Sequence, residues 1–147
     1  MNERYIRQTM IPEIGEAGQE KLKNAKVLIV GIGGLGSPIS LYLTAAGVGQ
    51  IGLIDDDIVS RSNLQRQILY TEAEIGQSKV ECACRRLSAL NSSTRFETYL
   101  NRFTSDNADR LVSAYDIIID GCDNAATRYL IDDICSRFKK PYVYGSI

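Results

Sequence analysis

The run Gly31-Ile32-Gly33-Gly34-Leu35-Gly36 is the first place in these 147 residues where chemistry can be read. It satisfies G-x-G-x-x-G between the apolar residues Val27 to Val30 and a helix-tolerant stretch, the setting in which glycines admit a phosphate to helix amides. The bland alternative is a tight strand-to-helix turn with no ligand. Asp55 stands nineteen positions past Gly36, where an acid in such a fold accepts hydrogen bonds from ribose hydroxyls. These features suit NAD and ATP equally. The residues that follow, Asp56, Asp57, Asn63, Arg66, Gln67 and Lys79, carry more charge than a dinucleotide pyrophosphate uses. A triphosphate with a metal would employ them.

Each of these residues also has an ordinary structural reading. Arg66 lies in SRSNLQRQ, a segment too polar for a core; its guanidinium could clamp phosphate oxygens or form a surface ion pair. Lys79 falls in the first turn of an expected helix, where the dipole disfavours a cation unless an anion is near; otherwise it is a solvated lysine. Asp123 follows the strand ending at Asp120 and could hold magnesium or cap a helix together with Asn124. Cys122 reads as a small residue packed beneath the site rather than a nucleophile. The chain has no histidine, which excludes an imidazole base and the Ser-His-Asp triad. Carboxylates, cations and backbone amides must do the work.

The elements that position these residues alternate along the chain. A leading helix is expected over residues 13 to 24, then a buried strand at Val27 to Val30, the glycine turn, and a helix with Pro38 in its first turn and Gly47 past its end. QIGLID reads as a second strand ending at Asp55. The polar stretch from Asp56 to about Gln77 exceeds the usual length of a connection, a trait of functional loops. A helix follows with Val80, Ala83, Cys84, Leu87 and Leu90 on its apolar stripe, then the alternating strand TRFETYL. Thr104 and Asp106 start another helix, YDIIID is a short buried strand, and Asn124 caps a helix striped by Leu130, Ile131, Ile134, Cys135 and Phe138. KKPYVYGSI begins a further strand. Repeated strand-helix units predict an α/β, Rossmann-like, mostly parallel sheet with helices on both faces. Ligands in such sheets bind beyond the carboxyl ends of the strands, so Gly31 to Gly36, Asp55 to Asp57 and Asp120 to Asn124 should share one crevice.

Composition narrows the classes. Seventeen basic and eighteen acidic side chains give a net charge of -1 with no basic stripe, which argues against nucleic acid as a partner. No apolar run approaches the roughly 18 to 20 residues of a membrane span, and MNERYIRQ lacks the apolar core of a signal peptide, so the cytoplasm is the expected location. Cys82, Cys84, Cys122 and Cys135 contain no C-x-x-C pair and are expected to be reduced thiols, with no zinc site.

Taken together, RYIRQ, VLIVGIGGLGS, AAGVGQIGLIDDDIVSRSNLQRQ, GQSK and DGCDNAATR closely resemble the ThiF/MoeB/HesA family of adenylating enzymes, relatives of ubiquitin-activating enzymes. The resemblance runs from about Arg4 to the last residue, and SNLQRQ is its most specific part. It implies ATP-dependent adenylation of the C-terminal glycine of a ubiquitin-like sulfur carrier of the ThiS or MoaD type, in thiamin or molybdopterin biosynthesis. It further implies that Gly31, Gly33, Gly34 and Gly36 form the phosphate turn, with Gly34 against the phosphates. Asp55 would bind ribose, with Asp57 beside it. Asn63, Arg66 and Gln67 would line the phosphate side, Lys79 would contact phosphate, and Asp123 would position magnesium. Arg7, in RYIRQ, would reach across a homodimer interface toward the γ-phosphate of the neighbouring subunit.

The family continues for roughly another domain's length with two C-x-x-C zinc pairs, so residues 1–147 are expected to be an adenylation domain truncated at Ile147, exposing sheet edge and apolar surface. Two rival readings stand beside adenylation. One is a NAD-dependent oxidoreductase, which gives no role to Arg66, Lys79 or Asp123. The other is a noncatalytic nucleotide-binding or dimerisation fragment.

Overall fold

A computed structural model describes residues 3–145. Helix α1 (Ile6–Thr9) and helix α2 (Gly15–Asn24) precede strand β1 (Lys26–Val30), and helix α3 (Gly36–Ala46) leads to strand β2 (Gln50–Ile54). Helix α4 (Lys79–Leu90), strand β3 (Arg95–Tyr99), helix α5 (Ser105–Ala114), strand β4 (Ile117–Asp120), helix α6 (Ala125–Phe138) and strand β5 (Tyr142–Tyr144) complete the order. The five strands form one sheet in the order β3-β2-β1-β4-β5, and every pairing is parallel.

The period-two geometry of β1 builds two cores from one strand. Val27 and Ile29 join Ile51, Leu53, Val80, Ala83 and Leu87 on the face covered by α3 and α4. Leu28 and Val30 join Leu111, Val112, Ile118, Ile131 and Ile134 on the face covered by α5 and α6. Helices therefore cover both faces, and β1 is buried along nearly its whole length, as an interior parallel strand must be.

Two ends of helices follow the expected chemistry. Gly47 closes α3 in the left-handed region at φ 88°, and the Asn124 side chain accepts the Thr127 N–H at 2.9 Å to start α6. The apolar stripes differ in detail. Cys82, not Cys84, is the thiol fully buried on α4, while Leu90 and Phe138, each the final residue of its helix, lie exposed. Tyr142, Val143 and Tyr144 of the edge strand β5 are exposed, as expected. Among the described residues no helix is long and apolar enough to cross a membrane.

Candidate functional site

The carboxyl ends of β1, β2 and β4 open into one cavity of about 1080 Å³. Gly31, Gly33 and Gly34, Asp55 to Asp57, Asn63, Arg66, Gln67, Lys79 and Asp123 all line it, so three segments far apart in the chain do meet. Gly36 is buried at the start of α3 and not on the lining; Arg7 is exposed on α1 and outside the cavity.

The glycine turn has its shape because side chains are excluded. A Cβ on Gly36 would stand 2.0 Å from the Gly31 carbonyl oxygen, and Gly31 itself sits at φ 87° with the Gly121 backbone beneath it. No side chain caps the N-terminus of α3; the Ser37 N–H turns back to the Gly33 carbonyl at 3.0 Å, and it is the amides of the glycine turn before it that face the crevice. The loop is pinned through one peptide: Ile32 donates its N–H to Asp55 Oδ2 at 2.8 Å, and its carbonyl accepts the Tyr70 hydroxyl at 2.6 Å. Burial, reinforced by the nearby Asp55 charge, pushes the Tyr70 phenol well above its ordinary range, so it remains a donor.

Asp55 lies one residue beyond β2, half-buried, and is a hub rather than a free acid. Its Oδ1 accepts the Asp57 N–H at 2.9 Å while Oδ2 holds the glycine turn. Each oxygen keeps a lone pair for a further donor.

The long connection after β2 is less polar in place than in sequence. Two 3-10 turns, Arg61–Asn63 and Glu72–Glu74, each start with a capping box, and Val59, Leu69 and Tyr70 are buried beneath them. SRSNLQRQ does contribute to the interior: Gln67 is 4% exposed, with Oε1 lacking a partner among the described residues and Nε2 facing Gly33. Asn63 Oδ1 accepts the Ser60 N–H at 3.1 Å, which leaves its amide hydrogens for the crevice. The Arg66 stem lies over Gly34, and its guanidinium donates to the Ser62 carbonyl at 3.2 Å. Among the described residues no carboxylate pairs with Arg66.

Lys79 is not the solvated lysine of the ordinary reading. It is 4% exposed, and its Nζ donates to Asp57 Oδ2 at 2.9 Å. Asp123 stands exposed on the opposite wall. Below it Cys122 is buried, with its thiol donating to Asp120 Oδ1 at 2.8 Å; burial first, then the Asp120 contact, pushes that thiol up to about 11. A thiol so held is a poor nucleophile at neutral pH.

Sequence reasoning missed two cations. Arg128, on the first turn of α6, donates to the Cys122 carbonyl at 2.9 Å and the Tyr144 hydroxyl at 2.9 Å, and sits 3.6 Å from Asp120. Its position four residues after the capping Asn124 was the available signal. Arg102, in the segment after β3, reaches Asp56 at 3.3 Å; no local pattern marks it.

A glycine turn ahead of a helix without a side-chain cap, a half-buried acid past the next strand end, Arg66 over the turn and the buried Lys79 meet in one crevice. The sequence model of the ThiF family matches residues 5–147. The chain belongs to the ThiF family. Among ThiF-family relatives, the adenylyltransferase and sulfurtransferase MOCS3 of Culex quinquefasciatus is 52% identical over 97% of this chain and 33% of its own length. The sulfur carrier protein adenylyltransferase of Thermus thermophilus is 48% identical over 99% of this chain and 54% of its own length. The crystal structure of the E. coli tRNA N6-threonylcarbamoyladenosine dehydratase TcdA in complex with ATP superposes with a TM-score of 0.89 at 30% identity, over 96% of this chain and 58% of that one. The chain thus spans about a third to a half of the length of these curated ThiF-family relatives.

Proposed function

We propose that this crevice binds ATP and that the chain serves to adenylate the C-terminal glycine of a ubiquitin-like sulfur carrier of the ThiS or MoaD type. The observation that carries the reading is the convergence of the uncapped glycine turn with Arg66 and Lys79 in one cavity. The sulfur-carrier adenylyltransferase and MOCS3 relatives support the choice of acceptor over the tRNA of the more distant TcdA.

The chemistry suits a site without histidine. A C-terminal carboxyl has a pKa of about 3.5, so it is ionised at neutral pH and attacks without a general base. Its oxygen forms a bond to the α-phosphorus while the bond from that phosphorus to the bridging oxygen breaks, and pyrophosphate departs with the electron pair. Two negative reactants must be aligned, and charge on the leaving group must be neutralised, by groups fixed in advance. Arg66 and Lys79 supply positive charge, the amides around Gly34 cradle phosphate, and Asp55 receives the ribose.

The donor set around the crevice fits a magnesium ion, a hard cation that takes carboxylate oxygens: Asp55, Asp56 and Asp123 line it. Asp123 is the residue proposed to hold it, where it would offset phosphate charge. Arg7, exposed on α1 and away from the cavity, is left for the site of a second subunit in a homodimer.

ATP-pyrophosphate exchange with purified ThiS-type and MoaD-type carriers, on this chain and on a version extended to family length, tests the reading. Exchange with either carrier supports it and identifies the branch. Exchange with neither leaves a noncatalytic nucleotide-binding module. Tighter binding of NADH than of ATP with magnesium overturns it in favour of an oxidoreductase.

A further inference from the structure

We infer that Asp57 is a displaceable counter-ion for Lys79: a positioning residue that holds the ammonium in place until phosphate replaces it, and not itself a ligand of nucleotide or metal. This deepens the nucleotide reading and rests on it.

Lys79 needs such a partner. Its side chain is 5% exposed at the start of α4, among the first amides of the helix, where both desolvation and the dipole disfavour an ammonium. Among the described residues Asp57 is the carboxylate that pairs with it.

The backbone holds the two residues in register. Lys79 donates its N–H to the Asp57 carbonyl at 3.1 Å, and Asp57 donates its own N–H to Asp55 Oδ1 at 2.9 Å. Ile58 and Ser78 form an antiparallel bridge, and Val59 donates to the Gln77 carbonyl at 2.9 Å. The strand end that carries the ribose acid and the helix start that carries the lysine are therefore one unit.

The pair is nevertheless lopsided. The Asp57 side chain is 67% exposed against 5% for Lys79. Water reaches the carboxylate, so it can turn outward at little cost, whereas the ammonium has no such route. A phosphate entering the crevice meets Asp57 already seated on the Lys79 ammonium, while the neighbouring Asp56 is paired with Arg102. Binding is then an exchange of anions over a stationary ammonium, and Asp57 opposes it while making the apo site tolerable.

Calorimetric titration of ATP, with and without magnesium, on the parent, Asp57→Asn, Lys79→Met and the double variant tests this. Asp57→Asn is expected to tighten ATP about fivefold, Lys79→Met to weaken it at least about tenfold, and the gain from Asp57→Asn to vanish when Lys79 is absent. Without nucleotide, Asp57→Asn should melt below the parent, and the double variant should recover part of that loss. Weaker or unchanged ATP binding by Asp57→Asn overturns the proposal; weakening confined to titrations with magnesium makes Asp57 a metal ligand instead. Should Asp57→Asn fail to fold, Asp57→Ser takes its place with the same expected signs. A parent that binds no ATP at millimolar concentration defeats the nucleotide reading itself; the melting comparison then judges the pair alone, and an unchanged melting temperature overturns it.

Discussion

Asp55, one residue past β2, and Asp120, the last residue of β4, stand at the ends of the two strands that flank β1, and each accepts the N–H of the residue two positions on, at 2.9 Å and 3.0 Å. Beyond that shared contact the two carboxylates lead different lives. Asp55 is half-buried, holds the glycine turn and faces the crevice. Asp120 is 1% exposed, takes the Cys122 thiol and pairs with Arg128. The same local turn thus yields a crevice-facing acid just past β2 and an internal brace at the end of β4, and what separates them is the neighbour that covers each carboxylate.

Mutation can break this contrast. Asp120→Ala removes one partner of a buried pair and should cost about 3 kcal/mol in urea unfolding, the largest effect expected here. Asp55→Ala should reverse the balance. A stability loss of about 1 kcal/mol from its backbone contacts is expected beside about a hundredfold weaker ATP binding, read by titration. Equal stability losses for the two variants would erase the distinction.

Arg66→Ala sharpens the comparison from the ligand side. Exposed and without an ion-pair partner among the described residues, Arg66 should contribute about tenfold to ATP affinity and less than about 0.5 kcal/mol to stability. Arg102→Ala, which breaks an exposed pair with Asp56, should shift the urea midpoint by less than about 0.5 kcal/mol equivalent.

The brace also has a pH signature. The Cys122 thiol is raised from 9.0 to about 11 in the fold by burial and by Asp120. The unfolded chain therefore loses this proton first, so the contribution is complete below about pH 9 and is lost as pH rises toward 11. Alkylation of Cys122 followed by peptide mass spectrometry should stay slow at pH 9 and accelerate near pH 11. Rapid alkylation at pH 8 would contradict the geometry.

Much of this arrangement was legible beforehand because it follows from periodicity and punctuation. The strand bodies, the glycine turn, Gly47 and the Asn124 cap each depend on residues a few positions apart. Burial of Lys79 and Gln67 was not legible, because polarity argues for solvent and only the folded connection shows what covers them. Arg102 joins Asp56 across forty-six positions, a distance no local pattern reports. Cys82 and Cys84 lie on either side of the same stripe, and a rotation smaller than one residue decides which is buried.

Gly31 rests on Gly121, and Gly121 donates its N–H to the Val30 carbonyl at 2.8 Å. Ninety residues separate the two glycines, so a chain emerging from the ribosome has made its phosphate turn long before it has made the floor beneath it. The turn reaches its final shape only when β4 pairs with β1, a closure of high sequence separation and correspondingly slow. A ligand seated on this turn would therefore favour the finished sheet and offer little help to its earliest intermediates.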